Sequence, residues 1–315
     1  MKNIFCHIPR ENWIVDRMGR EFLNYSSHNI SNSSIEENTD IIWLLASWCW
    51  DQIPLEILAR KFVVCTIHHE VPEKFDQKRK RNFLIRDKFV NCYLTYTEET
   101  KEFINSLTTK PIKIIPHWIN QDMWNILDKN ECRSALNLPQ DRFLIGSFQR
   151  DTEGSDLISP KLEKGPDILV DKIKDITNIR NDVHVVLAGW RRQYVIKNLE
   201  KLNIPYTYFE LPPIEKVNQL YNSLDLYVIS SRCEGGPQSI FETSYLKLPV
   251  LSTKVGQFKF LSKKCLYDHE DVITKKMISD AENAVEENYN NVKKLEIRKF
   301  CQEYDNFFEE LRYEI

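Results

Sequence analysis

The sequence has few of the features that mark disulfide-bonded, zinc-binding or membrane-spanning proteins. Its eight cysteines are scattered over 315 residues, and no two of them form a Cys-x-x-Cys pair. This spacing argues against a disulfide framework or a zinc ribbon and favours a reducing compartment. No apolar run approaches the roughly 18 residues of a membrane span, and the first residues lack the apolar core of a signal peptide. We therefore expect a cytoplasmic protein whose only contact with membranes, if it has one, is peripheral.

The sequence also lacks a strong excess of one charge. Lys and Arg together number 43 and Asp and Glu 46, which gives a net charge of −3. A nucleic-acid partner is therefore not expected. Hydrophobic residues make up 42% of the chain and charged residues 28%, as in ordinary globular proteins. A chain of this length predicts two domains of about 150 residues each.

Short apolar runs alternate with helical patterns along the whole chain. The predicted strands are residues 3–8, 40–46, 61–67, 92–95, 112–115, 142–148, 183–188, 206–210, 225–230, 250–253 and 264–267. The predicted helices are residues 15–23, 51–61, 73–88, 98–106, 165–177, 191–202, 213–223 and 238–246. Strands that alternate with helices need crossover connections. The pattern therefore indicates an α/β fold with two doubly wound, Rossmann-like domains on mainly parallel sheets.

The predicted domain boundary lies between Pro116 and Leu138. We place a first domain at residues 1–130, a second at 131–290 and a C-terminal helix at 291–315. Seven apolar side chains fall at helical spacing in the last segment: Val292, Leu295, Phe300, Tyr304, Phe307, Phe308 and Leu311. Because such a stripe has to pack on another surface, the helix covers either the first domain or the partner chain of a homodimer.

The strongest functional signal lies in residues 225–253, DLYVISSRCEGGPQSIFETSYLKLPVLST. This stretch predicts a strand, a glycine-containing turn, a helix with Pro237 at its first position, and a second strand. Gly235 and Gly236 let the backbone approach a ligand, and the free N–H groups of the helix start suit an anion. Lys247 follows the helix where a left-handed glycine is expected. Either this cap is missing or Lys247 carries about 1 kcal/mol of strain.

Two carboxylates flank the predicted anion site. At 1.5 Å per residue, Glu242 lies roughly 7–8 Å from a phosphate held at Pro237. That is about the distance from the phosphates of a nucleotide to its ribose. An acidic residue can accept hydrogen bonds from the ribose hydroxyls. Glu234 precedes the helix and would lie on the other side of the phosphates, towards a sugar. The alternative is a capped helix with two surface acids.

Two cationic residues precede helices in the same half of the chain. Arg150 follows the predicted strand 142–148, and Lys164 opens the segment Lys-Gly-Pro-Asp. A guanidinium and an ammonium on two strand-end loops can together neutralise a diphosphate, on which negative charge grows as it leaves. The alternative for either residue alone is a solvated surface charge.

These residues resemble the donor-site signature of glycosyltransferase family 4. The similarity is carried by Asp225 to Ser230, Glu234-Gly235-x-Pro237, Glu242, Pro249-Val250, Lys164-Gly165-Pro166-Asp167 and, between the domains, Ile114-Ile115-Pro116. It is specific over roughly residues 140–255. The first domain lacks the family's glycine-rich loop after the first strand. The resemblance implies a retaining enzyme with the GT-B fold, in which two Rossmann-like domains face each other across a cleft.

The resemblance also implies roles for the matching residues. Glu242 would hold the ribose of a nucleotide sugar, and Glu234 would contact the transferred sugar near the reacting carbon. Arg150 and Lys164 would stabilise the leaving diphosphate, although their spacing is longer than is usual in the family.

Further roles follow from the same resemblance. The phosphates would accept hydrogen bonds from Gly235, Gly236, Gln238 and Ser239. The main chain at Leu211 would contact the base. A histidine after the third strand, His68 or His69, would lie near the sugar.

Three other features allow a functional and a structural interpretation. The basic helix predicted at 73–88 is either solvated or touches anionic membrane, as in related enzymes with lipid-linked acceptors. Trp48 and Trp50 either stack on an acceptor sugar or pack in the core. Cys65, His68 and His69 fit no standard zinc spacing, so no metal is expected.

Together these observations predict a metal-independent, retaining glycosyltransferase without a cofactor. It would move a hexose from a nucleoside-diphosphate sugar to a hydroxyl of a sugar or lipid-linked acceptor. Two alternatives remain open: a GT-B sugar-nucleotide 2-epimerase and a non-catalytic nucleotide-sugar-binding protein.

Overall fold

The computed structural model describes residues 1–11 and 14–311. The chain divides into two compact units. The first comprises Met1–Asn120 together with the chain from Leu295 on, and the second is Gln121–Lys294. Each unit has a six-stranded, fully parallel sheet with accompanying helices, so the predicted fold class is confirmed. Within the described residues, none of the helices combines the length and the apolarity that crossing a bilayer requires.

The strands of the first unit are β1 (Asn3–His7), β2 (Asn29–Ser31), β3 (Ile41–Leu44), β4 (Phe62–Thr66), β5 (Cys92–Thr95) and β6 (Ile112–Ile114). They are ordered β2-β1-β3-β4-β5-β6. The five predicted strands are confirmed to within two residues. The sequence pattern does not predict β2, because this three-residue strand contains a single apolar residue, Ile30.

The first helices are α1 (Ile14–Tyr25), α2 (Leu55–Leu58), α3 (Gln77–Asp87) and α4 (Glu98–Asn105). The helix predicted at 51–61 is wrong. A 3₁₀ helix, Ser47–Gln52, occupies its start, and Pro54, whose ring cannot continue a helix, separates it from the short α2. The predicted helix 73–88 begins only at Gln77, because the side chain of Asp76 accepts the N–H of Arg79 at 2.8 Å and caps it there.

The strands of the second unit are β7 (Phe143–Ser147), β8 (Val183–Ala188), β9 (Tyr206–Phe209), β10 (Leu226–Ile229), β11 (Val250–Thr253) and β12 (Leu266–Tyr267). Their order is β12-β11-β10-β7-β8-β9. The chain therefore lays down β8 and β9 on one side of β7 and the later strands on the other. This reversal between β7 and β10 is where doubly wound sheets open a crevice for ligands.

The helices of the second unit are α5 (Lys129–Ala135), α6 (Pro166–Ile179), α7 (Gln193–Lys201), α8 (Ile214–Ser223), α9 (Ser239–Tyr245), α10 (Lys275–Asn283) and α11 (Val285–Lys293). Helix α9 ends with a left-handed residue, Lys247, at φ 54°. The N–H groups of Lys247 and Leu248 bond back to the carbonyls of Ser244 at 3.2 Å and Thr243 at 2.9 Å. This is the Schellman arrangement, so the cap is present and Lys247 carries its strain.

The C-terminal aromatic stripe is divided between two helices. Val292 lies in α11, whereas Tyr304 and Phe308 lie in α12 (Ile297–Glu310). The break falls at Glu296, which is extended and forms an isolated β-bridge with Ile119. In α12 the rings of Tyr304 and Phe308 lie 6.1 and 5.1 Å from that of Trp43. The stripe of α12 is thus buried in the core of the first unit.

Candidate functional site

The carboxyl ends of β7 and β10 hold the central part of the predicted site. Gln149 and Arg150 follow β7, and Ser231 and Glu234 follow β10. These neighbouring strands flank the point at which the strand order reverses. Residues that are about 80 positions apart in the sequence therefore meet at one edge of the sheet.

An ion pair forms the centre of this edge. Lys164 Nζ lies 2.6 Å from Glu234 Oε2, and the two side chains are 20% and 10% exposed. The hydroxyl of Ser231 lies 2.7 Å from Glu234 Oε1 and donates to it. The predicted diphosphate cation and the predicted sugar carboxylate are therefore in direct contact. An anion that binds Lys164 has to compete with Glu234.

Gly165 brings the Lys164 turn close to β10. Its φ is 60°, and Pro166 takes the first position of α6 directly after it. A Cβ on Gly165 would lie 1.9 Å from the carbonyl oxygen of Ser230. Only glycine fits a left-handed position with so little space. Gly165 therefore allows the turn to place Lys164 beside the end of β10.

The predicted phosphate donors lie in the loop before α9. The helix begins at Ser239 with Gln238 as its N-cap, so Pro237 lies before the cap and the predicted first helical position is wrong by two residues. The glycines Gly235 and Gly236 precede this start. A Cβ on Gly256 would lie 2.7 Å from both the Cα and the N of Gly236, so the loop is packed against the turn after β11. This packing fixes the main chain of the loop from the side of β11.

Glu242 lies in the first turn of α9 and is 6% exposed. The hydroxyl of Tyr221 donates to its Oε2 at 2.8 Å. Burial, and then the charge of Glu242, raises the pKa of Tyr221 well above its usual value, so this phenol stays protonated as a donor. The ring of Tyr221 packs 4.8 Å from that of Phe148 and 5.3 Å from that of Tyr227. The structure thus places Glu242 at an aromatic wall beside the end of β7.

Arg150 is held by contacts with the loop after β7 and with Trp190. Its Nε donates to the carbonyl of Thr152 at 2.7 Å, and its guanidinium carbon lies 5.2 Å from the centre of the Trp190 ring. Arg191 approaches the same ring at the same distance. Burial and then the charge of Arg191 lower the pKa of Arg150. The two guanidiniums therefore repel each other, and an added anion would relieve this repulsion.

Sequence reasoning missed the pair that anchors the loop after β7. Asp151 Oδ1 lies 2.8 Å from Arg192 Nε, and neither side chain has any solvent exposure. The N–H of Val195 also donates to Asp151, at 3.2 Å, and Arg192 donates to the carbonyl of Ala188 at 3.1 Å. Burial raises the pKa of Asp151, which the charge of Arg192 opposes. The available signal was the Arg191-Arg192 pair, which follows a buried strand after two intervening residues.

Leu211 lies just beyond β9 on the same edge of the sheet. It has a left-handed φ of 44°, and its apolar side chain is 66% exposed. Strand β9 is separated from β7 by β8 alone. At about 4.8 Å between strands, Leu211 and the end of β7 lie roughly 10 Å apart along the edge, the span from a diphosphate to a base.

His68 lies in the first unit, at the carboxyl end of β4. Its Nε2 lies 2.9 Å from the carbonyl oxygen of Leu45. Because a carbonyl only accepts, Nε2 carries the proton and Nδ1 carries a lone pair. Burial lowers the pKa of His68 to about 4, so the ring is neutral at pH 7. The rings of Tyr96 and His117 lie 5.3 and 6.5 Å away.

The other candidate residues of the first unit are His69, Trp48 and Trp50. His69 is half-buried beside His68. Trp50 is buried and donates to Asn82 at 3.1 Å, whereas Trp48 is 45% exposed and packs 5.7 Å from His68. Among the described residues, no group of three or more His, Cys, Asp and Glu is arranged to hold a metal ion.

Comparison with known proteins bears on this geometry. Residues 159–264, which include Lys164, Glu234 and Glu242, match the family described as glycosyl transferases group 1. No curated protein matches the chain in sequence.

Solved structures match the whole fold at low sequence identity. Anabaena HepE, solved with UDP and glucose, has a TM-score of 0.77 at 14% identity, covering 99% of this chain and 100% of its own. Sucrose-phosphate synthase from Thermosynechococcus elongatus has a TM-score of 0.76 at 13% identity, with 98% of each chain covered. WaaG, a glycosyltransferase involved in lipopolysaccharide biosynthesis, has a TM-score of 0.67 at 13% identity, covering 98% of this chain and 100% of its own. The chain thus has the GT-B fold, and its second unit carries the glycosyl transferases group 1 signature.

Proposed function

We propose that the chain is a retaining glycosyltransferase that moves a hexose from a nucleoside-diphosphate sugar to a hydroxyl acceptor, in the synthesis of a glycan, polysaccharide or glycolipid. The observation that carries the proposal is the Lys164–Glu234 pair at the strand-order reversal, inside the segment that matches the transferase family. A cation suits a departing diphosphate, and a carboxylate suits a sugar hydroxyl. The neighbour HepE was solved with UDP-glucose, so UDP-glucose is the first donor to test.

In the proposed reaction the bond between the anomeric carbon and the diphosphate oxygen breaks. A bond to the acceptor oxygen forms on the same face of the sugar, and the proton of the acceptor hydroxyl passes to the departing phosphate. Lys164 and Arg150 stabilise the charge that grows on the leaving group, in place of a metal ion. The loop with Gly235, Gly236, Gln238 and Ser239 donates to the phosphates.

The other residues hold the nucleoside and the sugar. Glu242 accepts hydrogen bonds from the ribose hydroxyls, and the main chain at Leu211 contacts the base. Glu234 contacts the transferred sugar near the reacting carbon. His68, with His69 as the alternative, contacts a sugar hydroxyl of the substrate. The neutral state of His68 supports this role, since its Nδ1 can accept a hydroxyl proton at pH 7.

Helix α3 is proposed to contact anionic membrane when the acceptor is lipid-linked. Leu84 and Ile85 are exposed on this basic helix, whereas Phe83 is buried. Exposed apolar side chains among lysines and arginines favour the surface of an anionic bilayer. Co-sedimentation with liposomes should require anionic lipid, and equal binding to neutral liposomes would remove this part of the proposal. A cytoplasmic location and a homodimer remain part of the proposal, and sedimentation velocity reports the second.

A panel of nucleotide sugars tests the reaction. We expect one of the UDP- or GDP-sugars to be hydrolysed slowly without acceptor and consumed faster with a sugar acceptor, with retention at the anomeric carbon seen by NMR. An epimerised sugar without acceptor would identify a 2-epimerase. Binding without any turnover would identify a non-catalytic binding protein.

Substitution of Glu234 gives two opposite results if the proposal holds. Glu234→Gln removes the carboxylate that competes for Lys164, so the free nucleoside diphosphate should bind several-fold more tightly. The same change removes the sugar contact, so transfer should fall at least tenfold. Calorimetry and product assays measure the two. If the variant lost both diphosphate binding and transfer, Glu234 would not compete with the diphosphate for Lys164.

Glu242→Ala tests the ribose assignment. The variant should bind nucleotide sugars at least tenfold more weakly, because two ribose hydroxyls lose their acceptor. Glu286→Ala, which removes a surface partner of Lys247 in the same unit, is the matched control. If Glu242→Ala bound UDP- and GDP-sugars as tightly as the parent, the assignment would be wrong.

A further inference from the structure

The carboxamide of Gln149 joins the end of β7 to both other segments of the proposed donor site. Its Nε2 donates to the carbonyl of Lys164 at 2.6 Å and to the hydroxyl of Ser230 at 3.1 Å. Because the Lys164 carbonyl only accepts, the nitrogen end of the amide has to face this turn. Gln149 therefore links β7 to the Lys-Gly turn and to the end of β10.

The oxygen end of the same amide faces Ser231. The hydroxyl of Ser231 lies 3.2 Å from Gln149 Oε1 and 2.7 Å from Glu234 Oε1. This hydroxyl has a single proton, which goes to the nearer and charged carboxylate. Gln149 thus lies beside the main chain of one member of the Lys164–Glu234 pair and beside the hydroxyl that orients the other.

The position of the Lys164 main chain decides where its ammonium can reach. The turn is confined on one side, since a Cβ on Gly165 would lie 1.9 Å from the Ser230 oxygen. Gln149 holds it on the side of β7. A displacement of about 1 Å at a catalytic group can cost roughly 100-fold in rate, so a bond that fixes this turn has a catalytic consequence.

We infer that Gln149 is a positioning residue of the donor site, which acts through Lys164 on the diphosphate of the substrate. This inference rests on the proposed function. Gln149 keeps Lys164 where a terminal phosphate can displace Glu234 from it.

The test compares Gln149→Leu with Gln140→Leu. Gln140 lies in the same unit before β7, and its Nε2 donates to a main-chain carbonyl, of Asn130, at 3.2 Å and to a serine hydroxyl, of Ser134, at 3.0 Å. Calorimetry measures whichever of UDP, GDP and ADP binds most tightly, and its monophosphate. Gln149→Leu should lower the preference for diphosphate over monophosphate by about tenfold or more. Gln140→Leu should leave this preference unchanged.

Two further results would decide against the inference. An equal diphosphate preference in both leucine variants would reduce Gln149 to a structural role, because fold stability alone does not distinguish one phosphate from two. If Gln149→Leu does not fold, Gln149→Met keeps the length of the side chain and removes the donor to the Lys164 carbonyl, and an unchanged preference there would also overturn the inference. A parent protein that binds none of the three diphosphates refutes the proposed function itself, which is a separate outcome.

Discussion

The carboxyl edges of the two sheets bury different kinds of polar group. In the second unit the edge is built from ions: Asp151 with Arg192, and Lys164 with Glu234. In the first unit it includes a cluster of rings around His68, whose pKa burial lowers to about 4. Burial also lowers the pKa of His117 well below its usual value. The edge of the second unit thus holds one buried and one half-buried charged pair, whereas the ring cluster in the first unit offers uncharged hydrogen-bonding groups.

The largest expected effect tests whether the charged edge depends on its buried pair. Asp151→Ala leaves the Arg192 guanidinium buried without its carboxylate, which should lower the free energy of unfolding by about 3–5 kcal/mol. Asp182→Ala is the control, because its pair with Arg180 is more than a third exposed on both sides and contributes about 0–1 kcal/mol. Urea denaturation measures both. Similar losses would show that burial does not distinguish the two pairs.

The next prediction tests how closely the chain packs at the carboxyl edge of the second unit's sheet. Gly165→Ala should cost about 3 kcal/mol or more, since its Cβ would meet the Ser230 oxygen at a left-handed position. Gly154 has a similar φ of 66°, but the nearest atom to its Cβ is Asp156 Oδ1 at 4.0 Å. Gly154→Ala should therefore cost only about 1 kcal/mol of backbone strain. Equal losses in urea denaturation would mean that the close approach to β10 relaxes at little cost.

The change of threonine to valine should have opposite effects on stability at the ends of β4 and β5. Thr66 accepts the indole N–H of Trp43 at 2.8 Å, so Thr66→Val leaves a buried donor unsatisfied and should cost about 1–2 kcal/mol. Thr95 is fully buried, and its hydroxyl has no hydrogen-bond partner among the described residues. Thr95→Val should stabilise by up to about 1 kcal/mol. Thermal unfolding compares them, and the same sign for both would contradict this account.

The smallest effect concerns pH. The pKa of His68 is about 4 in the folded chain against 6.5 ordinarily, so the unfolded chain binds more protons between these values and stability falls as the pH falls through this window. Discounted for partial exposure, the loss between pH 7 and 5 is about 1 kcal/mol. His68→Gln can still donate to Leu45 and should lose that much less of its stability than the parent. Urea denaturation at both pH values measures this difference. If the variant and the parent lost the same stability between pH 7 and 5, His68 would not titrate as assigned.

Local sequence patterns were enough to locate the sheet edges. The bounds of β5, β8 and β11 agree with their predictions, because each is an apolar run closed by polar or turn residues. The glycine turn and the spacing of Glu234 and Glu242 were equally visible. The strand β2 was not, since a three-residue edge strand needs little apolar character.

Contacts across the fold could not be obtained in this way. Lys164 and Glu234 are 70 residues apart, and Asp151 and Arg192 are 41 apart. Their meeting depends on which strand ends are neighbours. Arg150 shows the consequence, because its contacts with Thr152 and Trp190 could not be read from the sequence.

The sequence by itself determined the alternation of strands and helices, the glycine-containing turn before α9 and the positions of the carboxylates around it, because periodicity and backbone sterics act within a few residues. The tertiary structure alone decided which charges neutralise each other. The distance between Lys164 and Glu234 is set by the placement of β7 beside β10, and the strength of an ion pair depends on that distance and on burial, which no local pattern encodes.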